Sequence, residues 1–206
     1  MLHRCLLLLT LALTFALPAQ AAPPGAGAAH SLLDASAGSI NPRFLLIGPQ
    51  GQAITQEDFR GRFQLISFGY TYCPDVCPTT LVDMAAVLKQ LGEAAARLQP
   101  IFVSVDPERD TPAVLKTYTE FFDPRILGLT GTPELVSRAA QNFKVRYARV
   151  YPADGDRSHY SVDHSAGMFL LGPQGELLRK FAYGKPASEI AEEVAELIAQ
   201  APAWRR

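Results

Sequence analysis

Two cysteines stand four positions apart in the stretch FGYTYCPDVCPTTL, which covers residues 68 to 81. Cys73 and Cys77 follow an apolar run and precede a helix-like pattern, so both sulfurs should lie near a helix start. The partial positive charge at a helix N-terminus favours a thiolate over a thiol. We therefore expect two reactive sulfurs. Asp75 between them should favour a state in which a cation offsets their negative charge.

Three kinds of chemistry fit such a cysteine pair. A static disulfide would close a very small loop and would constrain the unfolded chain little. A redox-active disulfide between Cys73 and Cys77 needs only the two sulfurs and access to them. A metal site needs more ligands, and structural zinc takes four Cys or His side chains, whereas two thiolates and one imidazole suit soft, low-coordinate Cu(I). The redox couple and the copper site both remain open.

A histidine ligand must come from elsewhere in the chain. His159 and His164 lie in RSHYSVDHSAGMFLL, which the pattern predicts to be a loop leading into a strand. An exposed loop is the default location for such a histidine. His164 directly precedes the strand that begins near Met168, and its neighbour Asp163 could orient the imidazole ring as a hydrogen-bond partner.

The surrounding elements alternate between strands and helices. Strands are predicted at 63–68, 100–105 and 126–129, helices at 79–91, 112–121 and 133–143, then a hairpin at 168–181 and a helix capped by Ser188. This order predicts an α/β sandwich with a central mixed sheet. Sites in such sheets form at the carboxyl ends of strands, where the cysteine pair and DPERDTP (106–112) both fall. We expect Arg109 and Asp110 there to shape the rim or form a local ion pair.

The bulk composition and the first residues limit the class of protein. The 206 residues fit one domain, and a net charge of −1 argues against a nucleic-acid partner. Residues 1–21 have the pattern of a secretory signal peptide, and residues 22–38 that of a flexible linker. We therefore expect an exported, periplasmic protein. An uncleaved leader would instead tether it to the membrane.

Three strings taken together resemble one known family. In chain order they are FGYTYCPDVCPTTL, SVDPERDTP and VDHSAGMFLLGPQG, and they are similar to segments of the Sco/SenC proteins. The resemblance implies that residues 39–206 form a thioredoxin-like domain, a three-layer α/β/α sandwich with a central mixed sheet. It also implies that Cys73, Cys77 and His164 bind one copper, as Cu(I) or Cu(II). His164 matches the family ligand by its place in D-H before the hairpin strand, and His159 does not.

The resemblance also implies a function. Sco/SenC proteins are copper metallochaperones that deliver copper to the dinuclear copper site of cytochrome c oxidase. The expected partners are the copper-bearing subunit of that oxidase or another copper chaperone, and we expect a monomer. The alternative is a thiol–disulfide oxidoreductase that uses Cys73 and Cys77 to reduce the copper-ligand cysteines of the acceptor. A peroxiredoxin-like peroxidase has little support, because it would need one peroxidatic cysteine of low pKa.

Overall fold

The computed structural model describes residue 40, residues 42–153 and residues 159–201. The predicted signal peptide and linker lie outside the described residues. The strands are β1 (Leu45–Ile47), β2 (Ala53–Thr55), β3 (Phe63–Gly69), β4 (Leu98–Ser104), β5 (Leu127–Leu129), β6 (Tyr147–Val150), β7 (Ser161–His164), β8 (Met168–Leu171) and β9 (Leu177–Phe181). The α-helices are α1 (Val76–Leu91), α2 (Pro112–Phe122), α3 (Pro133–Asn142) and α4 (Ala187–Gln200).

The central sheet has five strands in the order β5-β4-β3-β8-β9. Strands β3, β4 and β5 run parallel, while β8 pairs antiparallel with both β3 and β9. The parallel part follows from the helical crossovers α1 and α2, because a connection between parallel strands must return to the same end of the sheet. The antiparallel part follows from the short turn between β8 and β9. The predicted mixed sheet is confirmed.

Two helices begin where the sequence predicts. Thr111 and Thr132 are the N-caps of α2 and α3, and each side chain accepts a hydrogen bond from a backbone N–H in the first turn. A proline follows each cap at a position where a missing N–H costs nothing. The prediction for α4 is wrong at its start, since Pro186 and not Ser188 is its N-cap. Proline has no side-chain oxygen, so this helix begins without a side-chain cap hydrogen bond.

Both faces of the central sheet are covered. Neighbouring residues on a strand point to opposite faces. Accordingly, Gly69 faces Cys77 of α1, while the Phe68 ring lies 5.3 Å from the Phe143 ring that follows α3. Helix α4 packs beside α1. Helices on both sides of one mixed sheet make the predicted thioredoxin-like three-layer α/β/α sandwich.

A separate two-stranded sheet carries the histidine segment. Strands β6 and β7 pair antiparallel with each other, with Tyr147 opposite His164 and Val150 opposite Ser161. The prediction of a loop here is wrong, because residues 161–164 form a strand. The pairing joins residues 11 to 17 positions apart, which the local sequence pattern does not show. Within the described residues, no helix is long and apolar enough to cross a membrane.

Candidate metal centre

The cysteine pair lies where β3 gives way to α1. Strand β3 ends at Gly69, and α1 begins at Val76 with Asp75 as its N-cap residue. Cys77 is therefore in the first turn of the helix and is only 2% exposed. Cys73, in the preceding loop, is partly exposed, and the two sulfurs are not joined by a disulfide. One sulfur is thus a buried group and the other is open to approach.

Gly69 makes room for the buried sulfur. A Cβ atom at this position would lie 2.7 Å from Sγ of Cys77 and 2.7 Å from the ring of Phe102. Side-chain carbons do not tolerate such distances without displacement of their neighbours. The absence of a side chain at residue 69 therefore lets α1 bring Cys77 close to the end of the sheet.

His164, 87 positions later in the sequence, contacts the same sulfur. Its Nε2 atom lies 3.5 Å from Sγ of Cys77, and its Nδ1 atom lies 3.1 Å from the carbonyl oxygen of Val162. A carbonyl oxygen only accepts, so the ring proton belongs on Nδ1. The lone pair of Nε2 is then directed toward Cys77. The Val162 carbonyl, and not the exposed Asp163 carboxylate, lies at Nδ1.

Tyr70 closes one wall of this arrangement. Its ring is 3% exposed and meets the His164 ring edge-on, with centroids 5.9 Å apart. Burial is the main cause that raises the pKa of Tyr70 above its usual range. Tyr70 therefore packs against the imidazole and restricts its movement on that side.

The protonation of Cys77 differs from the expectation. Burial raises the pKa of the Cys77 thiol far above its ordinary value, and Cys73 and Asp110 add to this rise while a backbone hydrogen bond from Tyr70 opposes it. We expect the helix N-terminus to favour a thiolate, but at Cys77 the loss of water outweighs the helix charge. Without a bound cation, Cys77 is a neutral thiol.

Cys73 and His164 line one cavity of about 240 Å³. Asp75 also lines it, with its side chain exposed and making no cap hydrogen bond to α1. The Asp75 carbonyl instead accepts from the backbone and hydroxyl of Thr79. A carboxylate in the wall of this cavity lowers the electrostatic cost of a cation entering it.

The donor atoms suit a soft cation. Two thiol sulfurs and an imidazole nitrogen with a free lone pair are ligand types that Cu(I) prefers. Among the described residues, no three Cys, His, Asp or Glu side chains stand already assembled as a metal-binding group. Cys77 and His164 are in contact, and the nearby Cys73 contributes to the raised pKa of the Cys77 thiol. Loading a cation therefore requires loss of thiol protons and a small closing movement of these three side chains.

Asp110 binds the loop that precedes Cys73. It is fully buried, and it accepts hydrogen bonds from the backbone N–H of Thr71 at 3.1 Å, the hydroxyl of Thr71 at 2.6 Å and the hydroxyl of Ser104 at 2.6 Å. Burial raises the pKa of Asp110, and these hydrogen bonds counteract the rise. Asp110 thus ties the end of β4 to the loop that carries Cys73.

Arg109 does not pair with Asp110. Its guanidinium forms an ion pair with Asp106, since the 106–110 turn directs Asp110 into the interior and leaves Asp106 beside Arg109. Sequence reasoning missed Tyr160, which contacts both Asp106 and Arg109. The available signal was an aromatic residue four positions before His164, in the same short segment.

Comparisons with known proteins indicate one family. The family model described as SCO1/SenC matches residues 34–199. The SCO2-like protein of Rickettsia felis is 38% identical over 153 residues, which is 74% of each chain. Protein SCO1 homolog, mitochondrial, of Homo sapiens is 41% identical over 154 residues, or 74% of this chain and 50% of that protein. This chain therefore spans about half the length of the human relative.

Solved structures show the same fold. The crystal structure of Arabidopsis thaliana ScoI with copper bound matches this chain with a TM-score of 0.72 at 33% identity. The match covers 79% of this chain and 100% of that chain. The likeness therefore extends over about four fifths of this chain and the whole of that one.

Proposed function

This chain belongs to the SCO1/SenC family, and on that premise we propose that it is a copper-binding metallochaperone. Cys73, Cys77 and His164 bind the copper, as Cu(I) or Cu(II), and the protein delivers it to the dinuclear copper site of cytochrome c oxidase. Copper is here the cargo of the protein. Its acceptor is the copper-bearing subunit of the oxidase or a second copper chaperone.

One observation carries this proposal. Nε2 of His164 lies 3.5 Å from Sγ of Cys77, and the bond between Nδ1 and the Val162 carbonyl leaves the Nε2 lone pair unprotonated. A thiol–disulfide couple needs no imidazole at this place. A nitrogen donor aimed at a buried sulfur is what a mixed sulfur–nitrogen copper site requires.

Uptake of copper must release protons. The pKa of Cys77 is raised by burial, so the thiol is protonated in the empty site and Cu(I) must displace that proton to gain a thiolate ligand. The Nε2 atom of His164 donates its lone pair while Nδ1 stays bonded to the Val162 carbonyl. The gain of two soft metal–sulfur bonds is what offsets the cost of a buried thiolate.

Delivery follows from the low number of ligands. A site of two sulfurs and one nitrogen leaves a position open to a donor atom of the acceptor. Cys73 is partly exposed and lines the cavity, so we expect an acceptor sulfur or nitrogen to replace ligands from this side. Copper then passes by ligand exchange and is never free in solution.

Anaerobic loading with Cu(I) tests the proposal. The wild-type chain should bind one copper, while Cys77→Ser and His164→Ala should each lose affinity by at least about tenfold, as expected for loss of one ligand. His159→Ala is the matched control, because His159 lies in the same segment but lines a different cavity. Equal affinity of wild type and His164→Ala would rule the mixed site out. Transfer is then measured with the apo copper-bearing subunit as acceptor.

A second function uses the same sulfurs. Cys73 and Cys77 are neighbours and both are free, so they can form a disulfide while reducing the acceptor's cysteines. Both electrons come from the two thiols, whose protons pass to the acceptor's sulfurs. His164→Ala separates the functions, since thiol exchange should largely survive in that variant and copper retention should not.

We also propose that the protein acts in the periplasm, tethered to the membrane if the leader is not cleaved. The signal-peptide pattern of residues 1–21 supports export. N-terminal sequencing of the protein recovered from a periplasmic fraction tests this, and a chain that stays in the cytoplasm would contradict it.

A further inference from the structure

The strand that carries His164 is attached to the rest of the fold through side chains. Strands β6 and β7 form a two-stranded sheet of their own and share no ladder with the central sheet in the described part of the chain. Most residues of β6 and β7 are exposed. Val162 of β7 is buried in the core, and beyond it the position of His164 depends on side-chain contacts between this hairpin and the main body.

The end of β7 nearest His164 is held by the chain itself. Only residues 165–167 separate His164 from β8 of the central sheet, and Gly167 has a φ of +119°. Glycine adopts that angle at no steric cost, so this short connection can act as a pivot. The other end of β7 must then be fixed separately if the ring of His164 is to stay beside Cys77.

Tyr160 provides that second attachment. It directly precedes β7, and its hydroxyl donates to Oδ1 of Asp106 at 2.8 Å. Its carbonyl oxygen accepts from Nη1 of Arg109 at 3.0 Å, and the guanidinium carbon of Arg109 lies 3.7 Å from the centre of the Tyr160 ring. Three different interactions thus hold one residue to the 106–109 loop.

Arg109 also contacts the cysteine loop. Its guanidinium carbon lies 4.7 Å from the Tyr72 ring centre and 5.7 Å from that of Tyr70, while its own charge is paired with the fully buried Asp106. Nη2 of Arg109 is buried and has no hydrogen-bond partner among the described residues. A buried guanidinium normally satisfies its donors, so the ring contacts are the main interaction on that side. Arg109 therefore joins the loop before Cys73 to the strand before His164.

We infer that Arg109 and Tyr160 form a clamp that positions His164 over the cysteine pair, an inference that rests on the proposed copper site. Tyr160 lies four residues before His164, about 13 Å along an extended strand at ~3.3 Å per residue. Fixing that distant point stops the hairpin from rotating about its pivot at residues 165–167. Arg109 and Tyr160 are positioning residues, because neither supplies a ligand atom.

The clamp has a definite consequence for copper. If Arg109 acts only through His164, releasing the clamp cannot weaken copper binding more than removing the imidazole does. Releasing the clamp must also leave copper affinity unchanged in a variant that lacks the imidazole. A residue that merely stabilises the fold would lower affinity equally in both backgrounds.

The test is a double-mutant cycle in the reduced full-length chain. Arg109→Gln should lower Cu(I) affinity by about tenfold, equivalent to ~1.4 kcal/mol, and should weaken the sulfur-to-Cu(II) charge-transfer band. The same substitution in the His164→Ala background should change affinity by less than about twofold. Arg125→Gln, which removes a surface ion pair with Asp123, is the control and should leave copper binding unchanged. Equal losses in both backgrounds, or no loss in either, would overturn the inference.

A second readout does not depend on copper. Cys77 is covered by His164, so loosening the hairpin should speed alkylation of Cys77, measured in a Cys73→Ser background. Tyr160→Phe keeps the ring over Arg109 and loses only the hydrogen bond to Asp106. The alkylation rate should therefore increase less than in Arg109→Gln. Tyr160→Phe also replaces Arg109→Gln in this test if the latter fails to fold. If the wild-type chain binds no copper, the proposed function fails. Alkylation then decides the clamp alone, and unchanged rates in both variants would refute it.

Discussion

The imidazole of His164 meets the sulfur of Cys77 at 3.5 Å, although 87 positions separate the two residues in the chain. This contact brings together the first turn of helix α1, which follows β3 of the central sheet, and the end of β7, which belongs to the separate two-stranded sheet. Everything that holds either residue in place therefore affects the chemistry of the pair.

Replacing Gly69 should disturb the buried sulfur directly. In Gly69→Ala the added Cβ would meet Cys77 and Phe102 at 2.7 Å, so we expect a loss of about 1–3 kcal/mol in unfolding free energy and weaker copper binding. Urea denaturation and Cu(I) competition titrations measure the two effects. Gly184→Ala is the control. The φ of +81° at Gly184 makes an alanine there destabilising, but no neighbouring atom lies within 4 Å of the added Cβ. Stability should therefore fall while copper affinity stays the same.

The raised pKa of Cys77 makes the stability of the reduced chain depend on pH. The folded state keeps the thiol proton where the unfolded state loses it, so this stabilisation is complete below the unfolded thiol pKa of about 8.5 and is lost as pH rises above it. We expect unfolding free energy to fall by up to ~1.4 kcal/mol per pH unit from this thiol. Urea denaturation from about pH 7 to about pH 10 measures the slope.

The Cys77→Ala variant isolates that contribution. Other groups titrate in the same range, including tyrosines whose pKa is also raised. The difference between the wild-type slope and the variant slope belongs to Cys77. Identical slopes would show that the thiol titrates normally in the folded protein.

Removing Asp110 should destabilise the fold and loosen the cysteine loop. Asp110→Ala leaves the Thr71 backbone N–H and two hydroxyls without their acceptor in a buried place, which should cost about 2–4 kcal/mol. Thermal or urea denaturation measures the loss. Glu57→Ala removes an exposed ion pair with Arg60 and should change stability by no more than about 0.5 kcal/mol. A loss as small as that of the control would mean that Asp110 is not needed to hold the loop.

Oxidation should switch copper binding off. A disulfide between Cys73 and Cys77 removes both thiolates, so the oxidised chain should take up no Cu(I) and should regain uptake after reduction. Metal analysis after gel filtration measures the bound copper, and thiol titration measures the redox state. The redox dependence should be absent from Cys77→Ser, which cannot form this bond. Full copper uptake by the oxidised wild type would contradict the sulfur ligands.

Local sequence patterns predict much of this architecture. The threonine–proline pairs at 111–112 and 132–133 indicate two helix starts, and the apolar run at 63–68 indicates the buried strand that delivers Cys73 to the rim of the sheet. These features are readable because caps and hydrophobic periods act over a few neighbouring residues. The motifs near 73, 106 and 164 were enough to indicate a copper-binding family.

Other features came only from the tertiary structure. Residues 161–164 form a strand because β6 lies beside them, and the Val162 carbonyl, not Asp163, lies at the His164 ring. The Cys77 thiol holds its proton because folding removes it from water, which no local pattern records. Burial and partners distant in sequence depend on how the whole chain packs. The sequence by itself therefore determined the candidate donor residues and the element order. Only the packed fold decided the protonation and orientation of those side chains and the contacts that hold them.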